Sequence, residues 1–371
     1  MSLSRVRLEI DTAALRSNFA EIRRLSRSCR VTAVIKANAY GTGDLETGSI
    51  LRSAGANRFA VADVVEAQRV SALGLPVQIL GTLISPEECD EVVRNGFFAP
   101  VTGLVSARML SAAAVRQQKS VPCQVKVDSG MGRFGMDTCA ALSEIEEITR
   151  LPGLDIRGIY SHLSSAGTPE NDYTLMQLKR FKELLFQLNK AGIFFEDVHL
   201  SASNGICFYP ETCQAPFTMT RSGIIMYGCE KNHFEADNSL KSVLSLKSCL
   251  ASVKRIRKGE GIGYGHTFLL PEDTLVGTVP AGYADGIPLA LSNAGSVLIK
   301  GVRCPVIGRV CMDCTLVSLN DVPDAAPGDE VIYWGRSGEE EITPGDWAAL
   351  KSTHVHDILC AIGNRVERRY L

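Results

Sequence analysis

Between residues 31 and 221 the chain alternates apolar, β-branched runs with amphipathic stretches, and few folds accept that rhythm. The runs expected as strands are 31–37, 58–62, 77–81, 97–101, 122–128, 156–162, 197–201 and 217–221. Helical patterns at 63–74, 85–96, 104–117 and 171–192 fall between most of them. An amphipathic helix at 12–27 precedes them, with Leu15, Phe19, Ile22 and Leu25 on one stripe. Eight strand–helix alternations in about 200 residues match a (β/α)8 TIM barrel better than an open doubly wound sheet. No GxGxxG follows any of the strands, which weakens a dinucleotide-binding reading.

The rhythm changes near Tyr227-Gly228, and the polar residues 230–241 read as a linker. Beyond it lie short β-rich runs at 246–255, 274–279, 296–300, 302–310 and 330–334, separated by glycine turns. A helix end at 358–362 and a closing strand at 365–370 complete the pattern. The expected class is therefore α/β, a TIM barrel over 1–230 followed by a smaller all-β domain over 231–371. The first strand, alternating from Ser4 to Ile10, is expected to pack with the β domain and is no signal peptide.

A net charge of −2 gives no reason to expect nucleic acid or an anionic membrane as partner. No apolar run approaches the roughly 20 residues that span a bilayer. Twelve scattered cysteines point to free thiols in a reducing cytoplasm. Cys311-Met312-Asp313-Cys314 lies in a strand-like run at 306–316, where residues three apart point to opposite faces. His354 and His356 could chelate a metal from a strand but lack an evident third ligand. No metal is expected.

In such a barrel the chemistry sits at the carboxyl ends of the strands. The polar residues expected there are Lys36 and Tyr40, the stretch from Lys126 to Arg133, His162, Ser203-Asn204 and Arg221. In Ala33-Val34-Ile35-Lys36-Ala37-Asn38-Ala39-Tyr40-Gly41 an apolar run ends in a lysine. Burial at the end of such a strand lowers a lysine's pKa and frees the amine to attack a carbonyl. Singly, Lys36 can snorkel to the rim, His162 can be a satisfied core histidine and Arg221 can close a structural ion pair. Together they offer a nucleophilic amine, two arginines, and hydroxyls and backbone N–H groups for an anion. Gly223 and Ile224 follow Arg221, where this fold usually builds its phosphate site. An amine beside a phosphate site points to pyridoxal 5'-phosphate held as a Schiff base.

Four motifs then carry a resemblance. They are the stretch around Lys36, Lys126-Val127-Asp128-Ser129-Gly130-Met131-Gly132-Arg133, Gly282-Tyr283-Ala284-Asp285-Gly286 and Gly308-Arg309-Val310-Cys311-Met312-Asp313. In order and spacing they resemble the alanine racemase family, fold-type III enzymes that use pyridoxal phosphate. The resemblance implies an isomerase that interconverts L- and D-alanine for D-alanine biosynthesis, in a head-to-tail homodimer with shared active sites. By motif, Lys36 resembles the cofactor-bearing lysine and the base on one face of the substrate. Tyr264, in Gly263-Tyr264-Gly265-His266-Thr267, resembles the opposite base, which in the family reaches the partner's cofactor. Tyr40, Ser203, Gly223 and Ile224 match phosphate contacts, Arg221 the arginine at the pyridine nitrogen, and His162 the histidine beside the ring. Arg133 and the Met312 backbone match the groups that receive the substrate carboxylate. Lys126 falls where the family often carries a carbamylated lysine, while Tyr283 and Asp313 belong to supporting motifs.

The chain also departs from the family pattern. His356-Asp357-Ile358 stands where Tyr-Glu-Ile is usual, which puts His356 at the phosphate and the substrate pocket. Thr42 replaces a histidine, Ala202 an asparagine, and Gly167 an entryway aspartate. Ile287 and Leu289 replace the tyrosine and arginine that usually follow the Gly-Tyr-Ala-Asp-Gly motif. The alternatives are a serine or broad-specificity racemase, a diamino-acid decarboxylase, and a non-catalytic pyridoxal-phosphate-binding protein. The decarboxylase type carries a Cys-Glu-Ser-x-Asp stretch that this chain lacks.

Overall fold

The computed structural model describes residues 4–229 and 240–371, so the expected linker at 230–241 falls almost wholly outside the described residues. The eight barrel strands are Arg30–Val34, Arg58–Val61, Val77–Ile79, Ala99–Val101, Val121–Asp128, Leu154–Tyr160, Asp197–His199 and Met219–Ser222. Parallel ladders join them into two arcs. Two sets of backbone bonds close the circle: Phe98 N–H to Val77 O (2.8 Å) with Ile79 N–H to Phe98 O (3.1 Å), and Thr218 N–H to Val198 O (2.9 Å). Strands such as Arg58–Val61 are buried along their whole length, because helices cover the outside and side chains fill the inside.

Four of the expected helices start at a side-chain cap. Asp11, Asp63, Ser85 and Asn171 accept the backbone N–H of Ala14, Glu66, Glu88 and Thr174. Two barrel helices absent from the sequence reading, Asp44–Ser53 and Ala141–Ile148, have no such cap, and the first contains Gly48.

The first barrel strand ends at Val34, three residues short of expectation. Ala37, Asn38, Ala39 and Tyr40 have φ between 51° and 57°, followed by Gly41 at 82°, so the chain makes a left-handed turn after Lys36. Each non-glycine residue there costs about 1–2 kcal/mol. Neighbouring elements hold the turn in place. Glu66 accepts the Ala37 N–H at 2.6 Å, and Asn38 Oδ1 accepts from the Asp44 N–H at 3.1 Å and from Arg69 at 2.9 Å.

The C-terminal part is rich in sheet. Arg7–Ile10 pairs antiparallel with Leu244–Cys249 and parallel with Glu367–Tyr370, in a seven-stranded sheet. The run expected at 246–255 divides, since Leu244–Cys249 joins this sheet and Ser252–Ile256 a separate three-stranded one. Of 302–310 only Val302–Pro305 is a strand. The stretch 306–317 folds back on itself, with Val306 bridged to Val317 and Cys311 N–H donating to Cys314 O at 2.9 Å. Cys311 and Cys314 therefore close a turn instead of pointing to opposite faces.

Two further helices, Pro344–Lys351 and Val355–Cys360, follow. The first opens with a capping box in which Thr343 and Asp346 accept each other's backbone N–H. His354 caps the second and His356 lies in its first turn, so the pair does not project from one face of a strand. This second helix packs on the left-handed turn. Arg368 donates to Gly41 O at 2.9 Å and Tyr370 Oη to Thr42 O at 2.5 Å, tying the closing strand to the same place.

Candidate active site

The barrel fold gathers Lys36, Lys126, His162, Ser203, Arg221, Gly223 and Ile224 at the carboxyl ends of five different strands. Four cations influence one another there. Burial, then the charge of Arg133, holds the Lys36 amine below its ordinary pKa. Burial, then Arg221 and Arg133, brings Lys126 down to about 7. The Lys126 ammonium also lies 4.6 Å from the centre of the Tyr160 ring. Burial and the same cations push His162 down to about 3, so its imidazole is neutral at any physiological pH. Arg133 sits in the exposed loop after the fifth strand, where Asp128 accepts its backbone N–H at 3.0 Å.

Arg221 is buried without a carboxylate partner among the described residues, and burial lowers its pKa to about 10. Its guanidinium donates to Ser161 O at 2.7 Å, to Leu200 O at 3.0 Å and to His199 Nδ1 at 2.6 Å. His162 Nδ1 lies 3.4 Å away. Because Nδ1 of His199 accepts from an arginine, its proton resides on Nε2, which faces Gln124 Oε1 at 3.0 Å. Gln124 in turn donates to Asp197 at 2.6 Å, and Asp197 pairs with Arg58 at 2.8 Å. His199, Gln124 and Asp197 were not among the residues expected from sequence. Their signal is period two within strands, Gln124 with Lys126 and Asp197 with His199, polar side chains at inward-facing positions.

Beside this relay lies a cradle of hydroxyl and backbone N–H groups. Gly223 N–H donates to Ser203 Oγ at 3.2 Å, and Ile224 opens a 3-10 turn. A Cβ on Gly223 would collide with Tyr40 Oη, so only glycine lets the tyrosine hydroxyl reach this spot. Tyr40 is buried between Tyr227 and His356, with ring centres 5.9 and 5.8 Å away. The Ser203 and Tyr40 hydroxyls, the backbone N–H groups of Gly223 and Ile224, and the adjacent Arg221 cation fit the phosphate of pyridoxal 5'-phosphate.

A second group lies on the sheet-rich part. Tyr264 is 70% exposed, Met312 53% and Tyr283 44%. Tyr283 N–H donates to Cys311 O at 3.0 Å and Ala284 N–H to Met312 O at 3.1 Å. Arg365 clamps the buried Asp285 at 2.7 Å and Asp313 at 2.8 Å, which fixes both loops together. Among the described residues, no hydrogen bond, ion pair or ring contact joins Tyr264, Tyr283 or Met312 to Lys36. Of the departures, Thr42 is buried and bonds Ala39 O at 2.7 Å, while Ile287 is buried and Leu289 exposed. Gly167 faces Asn204.

Comparison with known proteins agrees with this layout. The family model "Alanine racemase, N-terminal domain" matches residues 10–231, and "Alanine racemase, C-terminal domain" matches 243–370. Alanine racemase 1 of Clostridium acetobutylicum is 35% identical, over 98% of this chain and 94% of that protein. The alanine racemase structure from Streptomyces lavendulae superimposes with a TM-score of 0.92 at 30% identity, covering 100% of this chain and 98% of that one. That of Bartonella henselae, with covalently bound pyridoxal phosphate, gives 0.89 at 26% identity, covering 99% and 100%. Matched along nearly its whole length in sequence and in fold, the chain belongs to the alanine racemase family.

Proposed function

We propose that this chain interconverts L- and D-alanine on pyridoxal 5'-phosphate, working as a homodimer whose two active sites each draw on both subunits. The observation that carries the reading is the amine of Lys36, held below its ordinary pKa by burial, at the same end of the barrel as the Tyr40–Ser203–Gly223 cradle. The cofactor, when bound, supplies an electron-accepting ring that makes an amino acid's α-proton removable. Lys36 holds the cofactor and moves the proton on one face. Tyr264 of the partner subunit moves it on the other, because inversion needs a donor on each side. A phenol of ordinary pKa about 10 is a poor base, so the nearby cations of the barrel rim assist it.

Tyr40, Ser203, Gly223 and Ile224 hold the phosphate, with His356 against Tyr40. Arg221 would meet the ring nitrogen and, still charged near neutral pH, would donate a hydrogen bond there without giving up a proton. His162 stands beside the ring. Arg133 and the Met312 backbone receive the substrate carboxylate. Lys126 orients Arg133, Tyr283 lines the entrance, and Asp313 fixes the Met312 loop through Arg365. We assign the barrel machinery to 1–230 and the tyrosine-bearing unit to 231–371. No described helix is long and apolar enough to cross a membrane, and the free cysteines suit a reducing cytoplasm. A serine or broader racemase is the second reading, favoured by the polar His356 ring 5.8 Å from Tyr40.

A chiral assay against separate L-amino acids tests this. Rapid D-alanine formation is expected, with Lys36→Ala and Tyr264→Phe each lowering kcat by about 10²–10⁴. Faster turnover of serine would reassign the substrate, and no inversion of any amino acid by the loaded protein would overturn the reading.

A further inference from the structure

Cys311 and Cys314 have no part in the chemistry above, yet they flank Met312 and Asp313, which do. Val306 bridges Val317, Ile307 N–H donates to Leu316 O at 2.9 Å, and Cys311 N–H donates to Cys314 O at 2.9 Å. These contacts make a hairpin with Met312-Asp313 at its tip. A backbone bond and a side-chain hydrogen bond link the two residues, which sets their sulfurs side by side. Disulfides need Cα atoms roughly 4.4–6.8 Å apart, within the reach of such a pair. Both thiols are free and only half-buried. Cys29 and Cys213 are also neighbours, but both are buried in the core.

The tip has little freedom. Tyr283 N–H holds Cys311 O, Ala284 N–H holds Met312 O, and Arg365 holds Asp313. A bond between the two sulfurs therefore cannot be accommodated by the tip alone, and draws on the backbone of Met312 and the loop of Tyr283. Burial and then Cys311 push the Cys314 thiol up to about 11.

We propose that Cys311 and Cys314 form a reversible disulfide under peroxide, a redox switch that displaces the Met312 backbone and weakens substrate binding. The effect on substrate rests on the racemase reading, whereas formation of the bond does not. The Cys311 thiolate attacks one oxygen of hydrogen peroxide and breaks the O–O bond, giving a sulfenic acid and, after proton transfer, water. Cys314 attacks that sulfur and expels the hydroxyl as a second water. Two thiols lose two electrons to the peroxide, and a dithiol reductant returns them by two exchange steps.

The test treats the cofactor-loaded protein with hydrogen peroxide, blocks free thiols, and maps unreduced peptides by mass spectrometry. A peptide spanning 311–314 lighter by about 2 Da is expected. KM for alanine should rise about tenfold with less change in kcat, and dithiothreitol should reverse both. Cys314→Ser and Cys314→Ala should give no such peptide and keep their KM after peroxide. A 311–314 peptide that stays reduced while other cysteines oxidise would overturn the proposal. So would a disulfide that leaves KM unchanged, or equal loss in Cys314→Ser. Failure of the racemase reading would show separately, as an inactive protein before any oxidant is added.

Discussion

Burial, with Arg221 and Arg133 close by, leaves Lys126 half-deprotonated near neutral pH. Arg221, Arg133 and Lys36 all depress it further, whereas Asp128 favours the cation. An anion at this nitrogen would reverse every one of those unfavourable terms. A neutral lysine amine takes up carbon dioxide to become a carbamate, which is such an anion. The sign follows from the depressed pKa. Between about 7 and the ordinary 10.5 the unfolded chain holds a proton that the folded chain lacks, so folding gains stability as pH rises through that window. The neutral amine needed for the carbamate grows in the same direction. With ¹³C-labelled carbon dioxide, a carbamate signal should appear by NMR, strengthen through pH 7, and vanish in Lys126→Ala. A signal that survives that substitution would remove Lys126 from the account. Lys126 was legible in sequence because a long motif surrounds it. His199, which orders Arg221 from behind, was not, because one histidine inside an apolar strand looks like ordinary core until the barrel closes around it.

Among the elements, the left-handed turn after Lys36 depends on its neighbours. A Cβ on Gly41 would meet Leu359 O in the helix Val355–Cys360, and φ at this glycine is already 82°. Gly41→Ala therefore carries both a backbone penalty of about 1–2 kcal/mol and a collision with a carbonyl. The expected outcome is a lower Tm and weaker cofactor binding, since the displaced helix carries His356 away from Tyr40. Unchanged cofactor affinity, measured by titration of the apoprotein, would show that the helix does not brace the turn. The barrel strands were readable because most, such as Arg58–Val61, are buried on both faces and so read as apolar runs. The turn itself was not, since Ala37-Asn38-Ala39 has no glycine to announce a positive φ. The hairpin at 306–317 was missed for a similar reason, its reversal falling on Met312-Asp313 with no turn residue beyond the aspartate. The helix Pro344–Lys351 could have been found, because Thr343-Pro344-Gly345-Asp346 spells out a capping box.

At the scale of the whole molecule, the two groups of functional residues lie on different parts of one chain, and the second faces outward. Tyr264, 70% exposed and without contact to Lys36 among the described residues, is the group we assign to the partner's site. Met312, Tyr283 and the 40%-exposed Phe134 beside Arg133 extend the same surface pattern. In a twofold dimer each site would take Lys36 from one subunit and Tyr264 from the other. Mixing subunits turns this into arithmetic. Combine inactive Lys36→Ala with inactive Tyr264→Phe and let the subunits exchange; about half of the dimers are mixed. Each mixed dimer pairs the intact Lys36 of one chain with the intact Tyr264 of the other, restoring one of its two sites. Activity should rise from the level of the parents to about a quarter of wild type. A chain carrying both substitutions gives the opposite result. Mixed equally with wild type, every mixed dimer has one defect in each site, so activity falls by about half as exchange proceeds. If the two residues acted within one subunit, the first mixture would stay inactive and the second would not change. A rise in one mixture and a fall in the other therefore has a single explanation, a site completed across the subunit boundary.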